Sequence, residues 1–162
     1  MSPDTPHDDD PAAAVLAALA AAHRSLSAVI DRELRAACGL SLAEADVLAT
    51  LTRGPDGRQR MADIAGQMSV SKSGVTQITG RLVAAGLAAR ESCATDRRLV
   101  YAAITTAGRD LLDKAGPVLA AIAREHIASR LPDADLGKLT QALRTIASPS
   151  PPEASQRRGA ET

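Results

Sequence analysis

The chain has 162 residues with 19 Lys and Arg against 19 Asp and Glu, so it is no polycation overall, and its length suits one domain with a useful core. Its 45% hydrophobic content is met almost wholly by Ala, Leu, Ile and Val, with one Tyr and no Phe or Trp, which argues against the base-stacking platforms of single-strand and RNA binders. Cys38 and Cys93 lie far apart without disulfide-framework or zinc-ligand spacing, and no nucleophile-base-acid set, Gly-rich phosphate loop or paired carboxylates occur; neither an enzyme nor a metal or cofactor site is expected.

Residues 1–10 form an acidic, Pro-containing tail expected to be disordered, with Asp10 capping the first helix and Pro11 in its first turn. The start is acidic where a signal peptide needs basic residues, and no run of about 18 apolar residues is apparent, Ala12 to Ala22 being too short and too Ala-rich. No membrane partner and a cytoplasmic location follow as expectations. The first helix runs to about Cys38, with Val15, Leu19, Ala22, Leu26 and Val29 at alternating four and three spacing and Leu16, Ile30 and Leu34 beside them. That stripe is wider than one neighbouring helix needs, so part of it is expected to pack on another chain. Gly39 ends the helix. Ser41 and Glu44 form a capping box for a helix from Leu42 to Thr52. Arg53 to Arg60 read as a turn, either a plain connector or a loop that contacts phosphate.

The centre of the chain reads as helix, turn, helix, ribbon. Met61, Ile64, Ala65 and Met68 share one face of a short helix, and Ser69 and Val70 break the pattern. Ser71 is placed to cap a second helix that extends to about Ala85. Its inward stripe is Val75, Ile78, Thr79 and Leu82, which leaves Lys72, Ser73, Thr76, Gln77 and Arg81 outward. Gly86 fits the left-handed position that ends a helix. Leu87 to Ser92 then pair with Leu99 to Ile104 as a two-stranded ribbon tipped by Cys93 to Arg98. Another long helix starts at Thr105 or Thr106 and continues to about Arg130, bent at Gly116-Pro117, and a last helix spans about Asp133 to Ala147. Residues 148–162 form a second tail expected to be disordered. From Arg53 to Arg98, eight basic residues face four acidic ones, so positive charge gathers on the segment with the helix-turn-helix pattern.

The run GLAARESCATDRRLVYAAITTAGRDLL resembles, in order and spacing, the wing and following helix of the MarR family of winged helix-turn-helix transcription regulators. The resemblance covers roughly Pro11 to Ala147. It is sharpest at the Asp96-Arg97-Arg98 tip, at Arg90 six residues before that aspartate, and at Ile104-Thr105-Thr106-Ala107-Gly108, which opens the next helix. It implies a mainly α fold with a small β-wing: a winged helix-turn-helix at about 42–104, flanked by dimerisation helices at about 11–38 and 106–147, all in a single domain at 11–147. It also implies a homodimeric, sequence-specific regulator, a ligand-responsive repressor that binds a pseudo-palindromic operator in double-stranded DNA.

The residues assigned to DNA are Ser71, Lys72, Ser73, Thr76, Gln77 and Arg81 on the second helix, with Arg90, Asp96, Arg97 and Arg98 on the wing. Gln can read adenine bidentately, Ser and Thr meet base edges or phosphates, and Lys and Arg supply phosphate contacts or guanine readout. Arg98 would enter the minor groove while Asp96 orients the arginines by pairing with Arg98 or Arg90. Family members commonly bind small aromatic or phenolic anions where the dimer helices meet the winged domain, for which His23 and Arg24 are the candidates here; a hydrogen-bonded interface histidine is the plainer reading of His23. The competing classes are a winged-helix protein-interaction module and a thiol-based redox sensor using Cys38 or Cys93.

Overall fold

The computed structural model describes residues 10–68, 70–92 and 99–148. The expected disordered tails therefore lie outside the described residues, apart from Asp10 and Ser148, as do the wing tip and Ser69. Residue contacts divide the chain into two compact units, with the break after Ala123.

In the first unit, α1 (Pro11–Cys38) starts at Asp10, whose carboxylate accepts from the Ala12 amide at 2.9 Å, and stops at Gly39. α2 (Leu42–Thr52) opens with the Ser41–Glu44 capping box. Five of its side chains, Ala45, Val47, Leu48, Thr50 and Leu51, are buried. Spacing alone puts Leu42, Ala45, Leu48 and Leu51 on one face; Val47 and Thr50 are buried as well because α2 is flanked by α1 and by the elements that follow, so it buries more than one face. A fully buried leucine such as Leu48 contributes roughly 1.5–3 kcal/mol, which makes α2 the pillar of this unit.

A 3₁₀ turn (Pro55–Gly57) leads into β1 (Arg58–Arg60), α3 (Met61–Gln67), α4 (Lys72–Ala84), β2 (Ala88–Ser92), β3 (Val100–Ile104) and α5 (Thr106–His126). The sheet has three antiparallel strands in the order β1-β3-β2, not two. The sequence hides β1 because Arg58-Gln59-Arg60 has no apolar alternation; it becomes a strand by pairing with Tyr101, Ala102 and Ala103 some forty residues away. Register puts Gln59, Arg90, Ala102 and Ile104 on the face that meets the core and Arg58, Arg60, Glu91 and Tyr101 on the other.

The junction of wing and α5 accounts for the Ile-Thr-Thr-Ala-Gly signature. Thr105 Oγ1 donates to the Gly86 carbonyl at 2.8 Å and accepts from the Gly108 amide at 3.1 Å, while the Thr105 amide donates to the Leu87 carbonyl. A side chain at position 108 would collide with that Leu87 carbonyl, so only glycine lets α5 start there. α5 runs through Pro117 without interruption. It ends at His126, short of the expected Arg130, and a 3₁₀ turn (Ala128–Arg130) follows.

The second unit holds that turn and α6 (Asp133–Ala147), which buries none of its residues and leaves Leu139, Leu143 and Ile146 exposed. On α1, only Leu34 is buried, and Val15 and Leu16 stand open. α1 also contains an 18-residue window of mean hydropathy 1.6, long and apolar enough by composition to cross a membrane, contrary to the expectation that no such run exists. The difference comes from alanine: eleven of its 28 residues are Ala, each apolar on a hydropathy scale yet small.

Candidate nucleic-acid interface

α4 is divided cleanly. Val75, Ile78, Thr79 and Leu82 are buried against the core, and Lys72, Ser73, Thr76, Gln77 and Arg81 are exposed on the opposite side. Ser71 Oγ caps the helix by accepting from the Gly74 amide at 3.1 Å and lies 3.0 Å from Ser73 Oγ. Thr76 donates its hydroxyl proton to the Lys72 carbonyl at 3.0 Å, which fixes its rotamer and leaves its lone pairs outward. An extended polar row with fixed short side chains can be laid against base edges, and Lys72 adds a positive charge at its N-terminal end.

Two arginines tie this helix to its neighbours. Arg90 on β2 donates from Nη2 to the Thr76 carbonyl at 3.2 Å, so the root of the wing is fastened to the middle of α4. Arg81 Nε donates to Glu44 Oε1 at 2.9 Å, reaching the first turn of α2. Ser71, Lys72, Ser73, Thr76, Gln77, Arg81 and Arg90 are thus gathered on α4 and the adjoining strand. Asp96, Arg97 and Arg98 lie outside the described residues.

The outer face of the sheet carries a second basic feature. Arg58 and Arg60 sit with their guanidinium carbons 5.4 and 5.9 Å from the centre of the Tyr101 ring, within cation–π range. Arg60 Nε also donates to the Tyr101 hydroxyl at 3.1 Å, and Arg58 pairs with Glu91 at 3.4 Å. The sequence leaves Arg58 and Arg60 in a segment read as either a connector or a phosphate-contacting loop; the signal for this cluster is the lone aromatic residue of the chain, followed by two alanines on β3.

Carboxylates hold the N-terminus of α2. Asp31 Oδ1 accepts from the Leu42 amide at 2.8 Å and Oδ2 from Arg35 Nε at 2.7 Å. The Arg35 and Leu42 hydrogen bonds keep the Asp31 carboxyl below the usual aspartate range. For Glu44, partial burial pushes upward most strongly, but hydrogen bonds from the Ser41 amide, Arg81 and the Ser41 hydroxyl together outweigh it and leave the carboxyl low. Burial raises Asp46, against an opposing pull from Arg53.

Within the first unit a cavity of about 650 Å³ is bordered by His23, Ser27, Ala28 and Asp31 of α1, by Leu42, Ala43, Asp46 and Thr50 of α2, and by Arg53, Gln67, Met68 and Val70. His23 borders it and Arg24 does not; Arg53, at the end of α2, also borders it. Met68 and Val70 flank the turn of the helix-turn-helix, so this cavity touches the element that sets the approach to α4. Among the described residues no group of three His, Cys, Asp or Glu side chains is arranged to hold a metal, and Cys38 is a half-buried free thiol. Cys93 lies outside the described residues.

A family model described as MarR family matches residues 39–99, from the end of α1 to the far side of the wing. The chain is 30% identical to AbsC of Streptomyces coelicolor, a MarR family transcriptional regulator, over 83% of its own length and 90% of AbsC, with a TM-score of 0.71. The chain belongs to the MarR family. It is also similar to Sco3205 of the same organism, a MarR family regulator solved in complex with DNA, at 26% identity over 82% of this chain and 83% of that one, TM-score 0.73. BpsR of Bordetella bronchiseptica shares the fold at 23% identity, covering 83% and 98% of the two chains with a TM-score of 0.72. A search of curated proteins found no match. As a MarR family member the chain is a DNA-binding transcription regulator and not an enzyme.

Proposed function

We propose that two copies of the chain pair through the uncovered apolar faces of α1 and α6 and bind a pseudo-palindromic operator in double-stranded DNA as a cytoplasmic repressor. The observation that carries this reading is the contrast between α4, whose apolar side is satisfied inside the chain, and α1 and α6, whose apolar sides are not. A polar helix face asks for a polar partner, and a contiguous apolar face asks for burial against a like surface. The same surplus explains the hydropathy of α1 without a membrane.

On the operator, Ser71, Lys72, Ser73, Thr76 and Gln77 meet the major groove, with Gln77 the principal base reader, and Arg90, Asp96, Arg97 and Arg98 bring the wing to the adjacent minor groove. Two such helices about 34–36 Å apart call for half-site centres about one turn apart. Footprinting on a duplex that the wild-type chain selects from a random-sequence pool should show an inverted repeat, and sedimentation at micromolar concentration should give twice the chain mass. A single protected half-site with a monomer mass would defeat the proposal.

The cavity beside the helix-turn-helix is the effector site in this reading. BpsR has its DNA binding regulated by 6-hydroxynicotinic acid. Here His23 and Arg53 can hold a phenol or a single carboxylate, while Asp31 and Asp46 on the same wall disfavour polyanions. A ligand there releases DNA only if it binds more tightly to the dimer whose reading helices are mis-spaced for the operator. Titrating the operator complex with phenols and aromatic acids tests this; a complex that no such compound dissociates would make the protein a constitutive repressor.

A further inference from the structure

Arg81 lies on the exposed side of α4, but its guanidinium is turned toward the start of α2. A cation there faces the unpaired amides and positive end of a helix, which ordinarily repel it. Glu44 reverses the sign. One carboxylate oxygen, Oε2, accepts from the Ser41 amide at 2.9 Å and the Ser41 hydroxyl at 2.8 Å, and the other, Oε1, takes Arg81 Nε at 2.9 Å. Glu44 is well shielded, with 15% of its side chain exposed, whereas Arg81 keeps 58%. An ion pair that open on one side adds little to stability. It does fix direction, because the Nε bond sets the plane of the guanidinium and the capping box holds Glu44 in one rotamer. The opposite side of the same helix end is tied to α1, since Asp31 accepts from the Leu42 amide.

We propose that Arg81 is a positioning residue rather than a DNA contact: through Glu44 it locks the rotation of α4 on α2, and so sets which side chains of α4 face the bases. This rests on the reading of α4 as the DNA-reading helix. It assigns Glu44, a residue outside any expected DNA contact, a part in operator discrimination. Helix α2 then acts as a spacer whose first turn is gripped by Asp31 from α1 and, through Glu44, by α4.

Glu44→Gln separates the two roles of that side chain, because glutamine still serves a capping box but carries no charge for Arg81. The test measures binding of the full chain to the selected operator duplex and to a scrambled duplex of equal length, across a salt series. The expected result is that Glu44→Gln and Arg81→Ala each weaken operator binding by a similar factor, about tenfold, with the double variant no worse than either single one. Binding to the scrambled duplex and the salt slope should stay as in wild type. The proposal is overturned if Arg81→Ala alone lowers the salt slope by about one while Glu44→Gln leaves affinity unchanged or raised, which is the behaviour of a phosphate contact. It is also overturned if neither variant has an effect, or if both lose operator and scrambled binding equally together with melting temperature, since the pair then only supports the fold. A wild-type chain that selects no duplex at all overturns the DNA-reading assignment along with it.

Discussion

α4 and α1 handle apolar side chains in opposite ways. In 13 residues α4 buries Val75, Ile78, Thr79 and Leu82, and everything it leaves outside is polar or small. In 28 residues α1 buries Leu34 alone, and leaves Leu16 69% exposed. Both helices are amphipathic by spacing, so periodicity does not separate them; what does is whether the rest of the chain supplies a surface to cover the stripe. A helix completed within its own chain is free to present its other face to a polar ligand. One that is not completed must find its cover elsewhere.

The most damaging change to this division is a charge on the open stripe. Leu16→Glu should leave the fold intact, since the side chain already faces outward, yet prevent pairing; losing the second half-site lowers operator affinity by about a hundredfold or more. Sedimentation and anisotropy titration on the same sample check both halves of that expectation. On α4, Gln77→Ala should cost roughly 1–3 kcal/mol at one base pair and leave the salt slope nearly unchanged, read by testing single-base operator variants.

A smaller effect should come from inside α4. Thr79 Oγ1 is buried without a hydrogen-bond partner among the described residues. Thr79→Val keeps the shape and removes that unpaired hydroxyl, so it should stabilise the fold by about 1 kcal/mol, measured by urea unfolding. The least effect concerns acid. Asp31 and Glu44 are held below their ordinary values of 3.8 and 4.5, so the stability they contribute is present at neutral pH and is lost as pH falls through their lowered values. Asp46 is raised and works in the other direction, gaining as it protonates. Unfolding free energy should therefore decline as pH falls through the lowered values of Asp31 and Glu44, and Asp31→Asn or Glu44→Gln should flatten the decline.

Features written in adjacent residues could be read directly. The Asp10 and Pro11 start, the Ser41–Glu44 box, the Ser71 cap and the left-handed Gly39 and Gly86 all follow from chemistry acting over three or four positions. The outward row on α4 followed from its period. What escaped notice depends on distant pairing. β1 exists because β3 offers it an edge, Arg81 meets Glu44 across 37 residues, and Tyr101 receives two arginines from a segment that composition marks as a turn. Arg53 borders the cavity because α2 ends there, a placement that the local sequence does not carry, and Arg24 lies outside its lining.

The bond from Arg90 to the Thr76 carbonyl bears on how operators are to be found in a genome. In the proposed binding mode, a wing root pinned to the middle of α4 holds the offset between the α4 contact and the base of the wing constant within each chain. In the proposed dimer, the adjustable distance is the one set where the two copies meet. A motif search should therefore hold the internal spacing of each half-site constant and let the central spacer alone vary.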